Sequence, residues 1–271
     1  MSMEPALLQH KLDRLRTLLS DMRAVLVAYS GGIDSTFVLK VAHEQLREKA
    51  VGMTAVSPTF PAIELAAAKQ VAQEIGACHE IVRTDQLEIP EFVSNDAARC
   101  FHCKTDLYQL LETFRRTGDI AYIVDGTNLD DLGDDRPGIK AARDWRVRSP
   151  LVEAELSKAD IRRLARDLGL SNWDKPAAAC LSSRIPRGMP ITIEKLNRVE
   201  GAEALLYREG LRHVRVRDHG EIARIEVAPE DVPRLLDSEQ RARISAGLKA
   251  LGFQFVTVDL EGYRPGGVSL G

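Results

Sequence analysis

No stretch of the chain is apolar for long enough to cross a bilayer. The opening segment, Met1 to Met22, breaks its leucines with charges and so lacks the apolar centre of a signal peptide. Leu7, Leu8, Leu12, Leu15, Leu18 and Leu19 instead form one stripe of an amphipathic helix. These absences predict a cytoplasmic protein without a membrane partner. A basic excess is also missing: 37 Lys and Arg face 40 Asp and Glu, a net charge of -3, which removes a general electrostatic reason to bind nucleic acid. Cysteine is scarce, four residues in 271, and in a reducing compartment thiols serve as metal ligands, reactants or packed side chains rather than disulfides. No internal repeat or low-complexity segment occurs, and the length suits one large domain or two modest ones.

What the chain does have is a β-type run, Ala24 to Tyr29, followed by Ser30-Gly31-Gly32-Ile33-Asp34-Ser35-Thr36 and then Phe37, Val38, Val41 and Ala42 at helical spacing. Strand, loop and helix follow in order. Gly31 and Gly32 let backbone approach a ligand, and Ser30, Ser35 and Thr36 place hydroxyls beside the free N–H groups of a helix start, which together suit an anion. The plain alternative is a tight Gly-Gly turn with Asp34 or Ser35 as ordinary N-terminal capping. The loop lacks both the Gly-Lys-Ser/Thr ending of a Walker loop and the third glycine of a dinucleotide fingerprint. It resembles the PP-loop of the ATP pyrophosphatase superfamily, which implies binding of ATP by Ser30, Gly31, Gly32, Asp34 and Ser35, release of pyrophosphate and an adenylylated substrate.

The βα alternation continues. Val51 to Val56 and His79 to Thr84 read as strands around a helix from Pro61 to Ile75, and Cys103 to Arg116 resumes helical periodicity after an irregular stretch. Ile120 to Val124 is a fourth strand, Arg146 to Leu151 a final one, and Ser157 starts a helix that Gly169 ends. Asp134 to Gly138 reads as a mobile connection. The pattern is α/β, Rossmann-like, with a parallel sheet covered by helices and ligands at the strands' carboxyl ends. The loop Asp125-Gly126-Thr127-Asn128-Leu129-Asp130-Asp131 ends the fourth strand there, with Gly126 and Asn128 expected at the nucleotide and Asp34 and Asp131 as Mg²⁺ candidates. The alternative is a simple polar turn. A change of composition places a boundary after Arg184, with a PP-loop domain over 1–184 and a small α+β substrate-binding or oligomerisation domain over 185–271. The latter combines a helix from Thr192 to Glu209, a hairpin at His219-Gly220, a broken helix from Glu230 to Leu251 and a last strand from Phe253 to Leu260.

Cys100-Phe101-His102-Cys103 pairs two thiols at a helix start beside Arg99 and Lys104, a pattern that suits a metal or reactive thiolates but also two packed side chains. No second cysteine pair exists to complete a zinc ribbon, and Cys180 is the obvious third ligand. Cys180 follows three alanines, a setting usual for a packed residue, yet Arg184 and Lys175 nearby favour a thiolate and an anionic substrate. An adenylate needs a nucleophile to displace AMP, and Cys180 is the best available. Cys78 reads as structural, and His79, His213 and His219 share no ligand spacing.

The PP-loop, Asp125 to Asn128, Lys175-Pro-Ala-Ala-Ala-Cys-Leu-Ser-Ser-Arg184 and Asp259-Leu-Glu-Gly-Tyr-Arg264 together resemble the LarE family over nearly the whole chain. The resemblance implies an ATP-dependent sulfurtransferase acting on pyridinium-3,5-biscarboxylic acid mononucleotide in the building of the nickel-pincer nucleotide of lactate racemase. Cys180 would provide sulfur and, in single-cysteine members, end as dehydroalanine. This chain departs from that pattern: Cys100, Cys103 and Cys180 match a three-cysteine subset expected to hold a 4Fe-4S cluster with one open iron, which is the favoured reading over sacrificial chemistry. The resemblance also implies substrate-phosphate contacts from Arg184, Arg215 and Arg217, the alternative for the last two being a charged edge strand. Glu200, Glu226 and Asp231 are candidate metal-contacting carboxylates without an assigned role. A homo-oligomer and hand-over to a nickel-inserting enzyme are expected partners. The rival functions are a tRNA-thiolating PP-loop enzyme, which would show a basic surface, an amide-forming synthetase, which would not require Cys180, and an ATP-binding regulatory module without turnover.

Overall fold

A computed structural model describes residues 3–118, 120–133, 137–175 and 179–263. Helix α1 (Met3–Met22) leads into β1 (Val25–Ala28), α2 (Ile33–Leu46), β2 (Ala50–Val56), α3 (Ala62–Ile75) and β3 (Cys78–Arg83). A short α4 (Pro90–Val93) precedes α5 (Arg99–Thr117), β4 (Tyr122–Val124), α6 (Pro137–Asp144), α7 (Pro150–Glu153) and α8 (Lys158–Asp167). The chain ends with α9 (Ile193–Arg208), β5 (Arg215–His219), β6 (Ile222–Glu226), α10 (Ser238–Ala250) and β7 (Phe255–Val258). Contacts divide it into two compact units, Met1–Asp85 with Ala98–Ala178 and Gln86–Ala97 with Ala179–Gly271.

The first unit holds a parallel sheet in the order β3-β2-β1-β4. Strand β1 is buried throughout, as a central parallel strand with helices on both faces must be. Leu15, Leu19, Val25, Val27, Phe37, Val38 and Val41 pack together on one side, and Leu26, Met53, Tyr108, Leu111 and Ile123 on the other. Because β1 to β3 run one way across the sheet and β4 lies on the other side of β1, the topological switch falls between β1 and β4. Ligand crevices form at such switches, outside the carboxyl ends of the strands.

The fifth strand expected over Arg146 to Leu151 does not form. Only a single bridge joins Val124 to Arg148. Arg146 has φ 54, and Pro150, which has no N–H to donate, already starts α7. Pro137 and Gly138, expected in a mobile connection, open α6, while Asp134 to Arg136 lie outside the described residues.

The second unit pairs β5 with β6 antiparallel and β6 with β7 parallel, and its own core gathers Leu206, Val214, Val216, Ile225, Ile244, Leu248 and Phe253. The break expected near Ser238 is present: Pro229–Leu236 is a 3₁₀ segment, and Asp237 caps α10 through the N–H groups of Glu239 and Gln240. Two differences from the expected 1–184 and 185–271 division have side-chain causes. Asn95, buried with φ 57, donates to the carbonyls of Ile185, Pro186 and Met189, which ties residues 86–97 to the second unit. Residues 179–184 join it as well, because Arg184 is bound to Glu203 of α9.

Candidate active site: an anion loop and a cysteine turn

The loop between β1 and α2 is built from its own hydroxyls. Ser30 N–H donates to Ser35 Oγ at 3.2 Å, Gly32 N–H to Ser30 Oγ at 3.3 Å, and Ser35 Oγ–H to Gly32 O at 3.1 Å. Gly31 has φ +72, and an added Cβ would stand 2.6 Å from Ala68 Cβ on α3, so both conformation and space require glycine. Gly32 occupies the N-cap of α2 with no side-chain cap, which leaves N–H groups of the first turn for an anion.

The loop after β4 closes on this turn. A Cβ on Gly126 would meet Ser35 N at 2.6 Å, so the chain touches the start of α2 backbone to backbone. Buried Asp125 organises the loop by accepting from Thr127 N, Thr127 Oγ1, Ser149 Oγ and Tyr108 Oη. Burial and the adjacent Asp125 carboxylate drive the Tyr108 phenol upward, which keeps it a neutral donor. Asn128 reaches Asp34 Oδ1 through Nδ2 at 3.4 Å, and its N–H donates to Asp131 Oδ2 at 3.1 Å. Lys158, at the start of α8, pairs with Asp34, while its own N–H donates to Asp130 Oδ2 at 2.9 Å. Ser157 caps that helix in a reciprocal box with Asp160, which sets where Lys158 stands.

Behind the loop, Thr54 Oγ1 donates to Tyr29 O at 2.8 Å. The oxygen must therefore accept from His79 Nε2, 2.8 Å away, and the imidazole carries its proton on that nitrogen. Burial, with Lys69 adding to it, holds His79 below the ordinary histidine value and so neutral. The Tyr29 phenol, pushed up to about 12 by burial, donates to Ala68 O at 2.9 Å.

In the second unit Cys180 caps a 3₁₀ turn, Leu181–Arg184, and its Sγ lies 2.9 Å from Ser182 Oγ. The Cys180 carbonyl accepts from Ser183 N, Ser183 Oγ and Arg184 Nη1. Arg184 also bonds Ala179 O at 2.7 Å and grips Glu203 with Nε and Nη2. Burial opposes its charge, but Glu203 outweighs burial and raises its pKa. Arg217 is likewise buried, gripping Glu226 at 2.8 Å through both Nε and Nη2 and donating to Ser183 O at 2.9 Å. The guanidinium groups of Arg184 and Arg217, expected at a substrate phosphate, are thus engaged by carboxylates that hold the cysteine turn. Arg215 is placed differently, with its guanidinium over the Tyr263 ring at 5.1 Å and Nη1 on Val214 O. Tyr263 N–H in turn donates to Val227 O, so the C-terminal motif clasps the end of β6; Arg264 lies outside the described residues.

Residues 13–102 match the family model of asparagine synthase. The chain is 44% identical to an uncharacterized protein of Synechocystis sp., over 96% of this chain and 97% of that one. It is 37% identical to the pyridinium-3,5-bisthiocarboxylic acid mononucleotide synthase of Lactiplantibacillus plantarum, over 96% of this chain and 94% of that one. The chain belongs to the LarE family. An uncharacterized protein of Methanocaldococcus jannaschii is similar across 94% of this chain at 28% identity. LarE proteins are ATP-dependent sulfurtransferases of the PP-loop superfamily, which agrees with the α/β fold and with an anion loop at the sheet's switch point.

Against that family the remaining candidates sort clearly. Ser30, Gly31, Gly32, Asp34, Ser35, Gly126, Asn128 and Asp131 come together around one turn of backbone. For Mg²⁺ the donor set fits in kind: Asp34 and Asp131 present hard carboxylate oxygens. For a cluster, Cys100 and Cys103 stand one turn apart at the start of α5, the first exposed and the second half-buried, and Cys180 belongs to the other unit. Among the described residues no three His, Cys, Asp or Glu side chains are gathered to hold a metal. The three thiols supply the soft donors that iron takes, and Pro176 to Ala178, which precede Cys180 in the family motif, lie outside the described residues. Glu226 is committed to Arg217 and Arg224, and Asp231 to Arg234. Cys78, read as structural, is exposed at the start of β3. Sequence reasoning missed Lys158, the first residue inside the Ser157–Asp160 capping box, whose pairing with Asp34 is made across 124 residues. It also missed Asn172, for which no local signal exists.

Proposed function

We propose that this LarE-family protein activates a carboxylate of pyridinium-3,5-biscarboxylic acid mononucleotide with ATP and replaces one carboxylate oxygen by sulfur. A substrate carboxylate oxygen attacks the α-phosphorus, the bond to the bridging oxygen breaks, and pyrophosphate leaves. Sulfur then attacks the carbonyl carbon, and AMP departs with the oxygen. The observation that carries this reading is the Ser30 to Ser35 loop, whose hydroxyls and free N–H groups gather at the head of α2 beside Asn128 and Lys158. Fixed donors of this kind stabilise charge developing on phosphate with little reorganisation. Mg²⁺, held by Asp34 and Asp131, would neutralise phosphate charge and orient the leaving group.

Cys180 is the residue through which sulfur reaches the substrate in this proposal. Arg184 and Ser183 fix its carbonyl, and Ser182 Oγ lies 2.9 Å from Sγ. Of the two sulfur sources, the pair Cys100 and Cys103 favours a cluster completed by Cys180; when bound it would supply inorganic sulfide. The second source is the Cys180 sulfur itself. In that case the Cα proton is lost, the Cβ–S bond breaks with its electrons on sulfur, and dehydroalanine remains.

Mass spectrometry after incubation with ATP, Mg²⁺ and the biscarboxylate nucleotide is expected to show a thiocarboxylate, AMP and pyrophosphate. Pyrophosphate release without sulfur incorporation would reject a sulfurtransferase. Anaerobic purification with iron and acid-labile sulfide analysis separates the two sources: an iron-free protein whose Cys180 loses one sulfur during turnover excludes the cluster.

A further inference from the structure

The PP-loop is held from behind by a side chain from outside the ATP-loop motifs. Asn172 follows α8 and is buried, with 7% of its surface exposed. Its Nδ2 donates to Gly31 O at 3.2 Å and to Thr36 Oγ1 at 3.0 Å. The amide orientation is unambiguous, because the Gly31 carbonyl can only accept. Its Oδ1 has no hydrogen-bond partner among the described residues, so burial of this amide is offset chiefly at the loop. Ala68 stands where a Gly31 Cβ would fall, and Tyr29 Oη donates to Ala68 O. Gly31 is therefore clamped between α3 and Asn172, with its carbonyl turned inward onto the amide. The same peptide carries the Gly32 N–H, which donates to Ser30 Oγ at 3.3 Å, so fixing the carbonyl also fixes that loop bond.

We propose that Asn172 is a positioning residue for ATP: by binding the Gly31 carbonyl and the Thr36 hydroxyl together, it presets the PP-loop for the triphosphate. The inference rests on the loop's role as the ATP site. Once Nδ2 is lost, the Gly31 carbonyl is buried without this donor and the peptide is free to rotate, so loop order must then be supplied at the moment ATP binds.

The test measures ATP·Mg²⁺ and pyrophosphate affinity by calorimetry on Asn172→Asp, which keeps the shape and removes the donors, and on Asn172→Ser, which keeps one. Leu15→Ala, a buried change in α1, provides a destabilised control. Affinity is expected to fall at least tenfold in Asn172→Asp and less in Asn172→Ser, with both ligands affected. Leu15→Ala should lower the melting temperature and leave affinity within twofold. Steady-state kinetics should show KM for ATP rising more than kcat falls. Wild-type affinity in either folded Asn172 variant overturns the proposal, and so does an equal loss in Leu15→Ala. If the wild-type protein itself binds neither ligand, it is the ATP-site reading that fails.

Discussion

Two glycines at the loop are required for different reasons. Gly31 combines a left-handed φ with a close neighbour on α3, whereas at Gly126 the obstacle is purely steric, 2.6 Å from the backbone nitrogen of Ser35. Gly126→Ala is therefore expected to push the β4 loop away from the start of α2 rather than to strain its own backbone. ATP affinity should fall about tenfold or more, while the circular dichroism spectrum stays unchanged; nucleotide titration of the folded variant checks this. Gly31 and Gly126 were both legible, because a glycine between a strand and a helix or after a strand end has few other uses. The ion pairs of Arg184 and Arg217 were not. A guanidinium reads the same in sequence whether it meets a phosphate or a carboxylate, and Glu203 and Glu226 are distant enough in the chain to conceal the pairing.

At the scale of elements, the 3₁₀ turn Leu181–Arg184 is too short to hold its own shape. Two buried ion pairs hold it, Arg184 with Glu203 and Arg217 with Glu226. Removing one partner leaves an uncompensated buried charge, so Glu203→Gln is expected to cost about 3–5 kcal/mol in urea unfolding. The same variant should also change the rate at which iodoacetamide alkylates Cys180. Glu226 adds a pH dependence. Burial pushes its pKa up, but Arg217 and Arg224 outweigh burial and hold it below the ordinary 4.5. The unfolded chain then binds the proton first, so this stabilisation is complete above about pH 4.5 and is lost as pH falls through the lower folded value. The stability gap between wild type and Glu226→Gln should therefore narrow below pH 4.5, as read from urea midpoints across the acid range.

For the whole molecule, each unit has its own apolar core, and the anion loop belongs to the first. ATP at a hundred times its dissociation constant should stabilise that unit by about 2.7 kcal/mol, the mass-action value. Hydrogen exchange is expected to slow most in β1, α2 and β4, whose backbones form the loop; unchanged exchange there with ATP and Mg²⁺ present would place the nucleotide elsewhere.

The order of the first four strands and their helices, the anion loop, the candidate cysteines and the family were legible in the sequence alone, because hydrophobic period and loop chemistry are local properties. Only the tertiary structure decided which polar groups are spent on one another. Lys158 meets Asp34 across 124 residues, and Asn172 meets Gly31 across 141. It also replaced a fifth strand by one bridge and a proline-started helix. It moved Asn95 and the cysteine turn into the second unit. Partner choice of this kind depends on burial: a buried donor must find an acceptor wherever the folded chain supplies one, and local sequence does not encode where that will be.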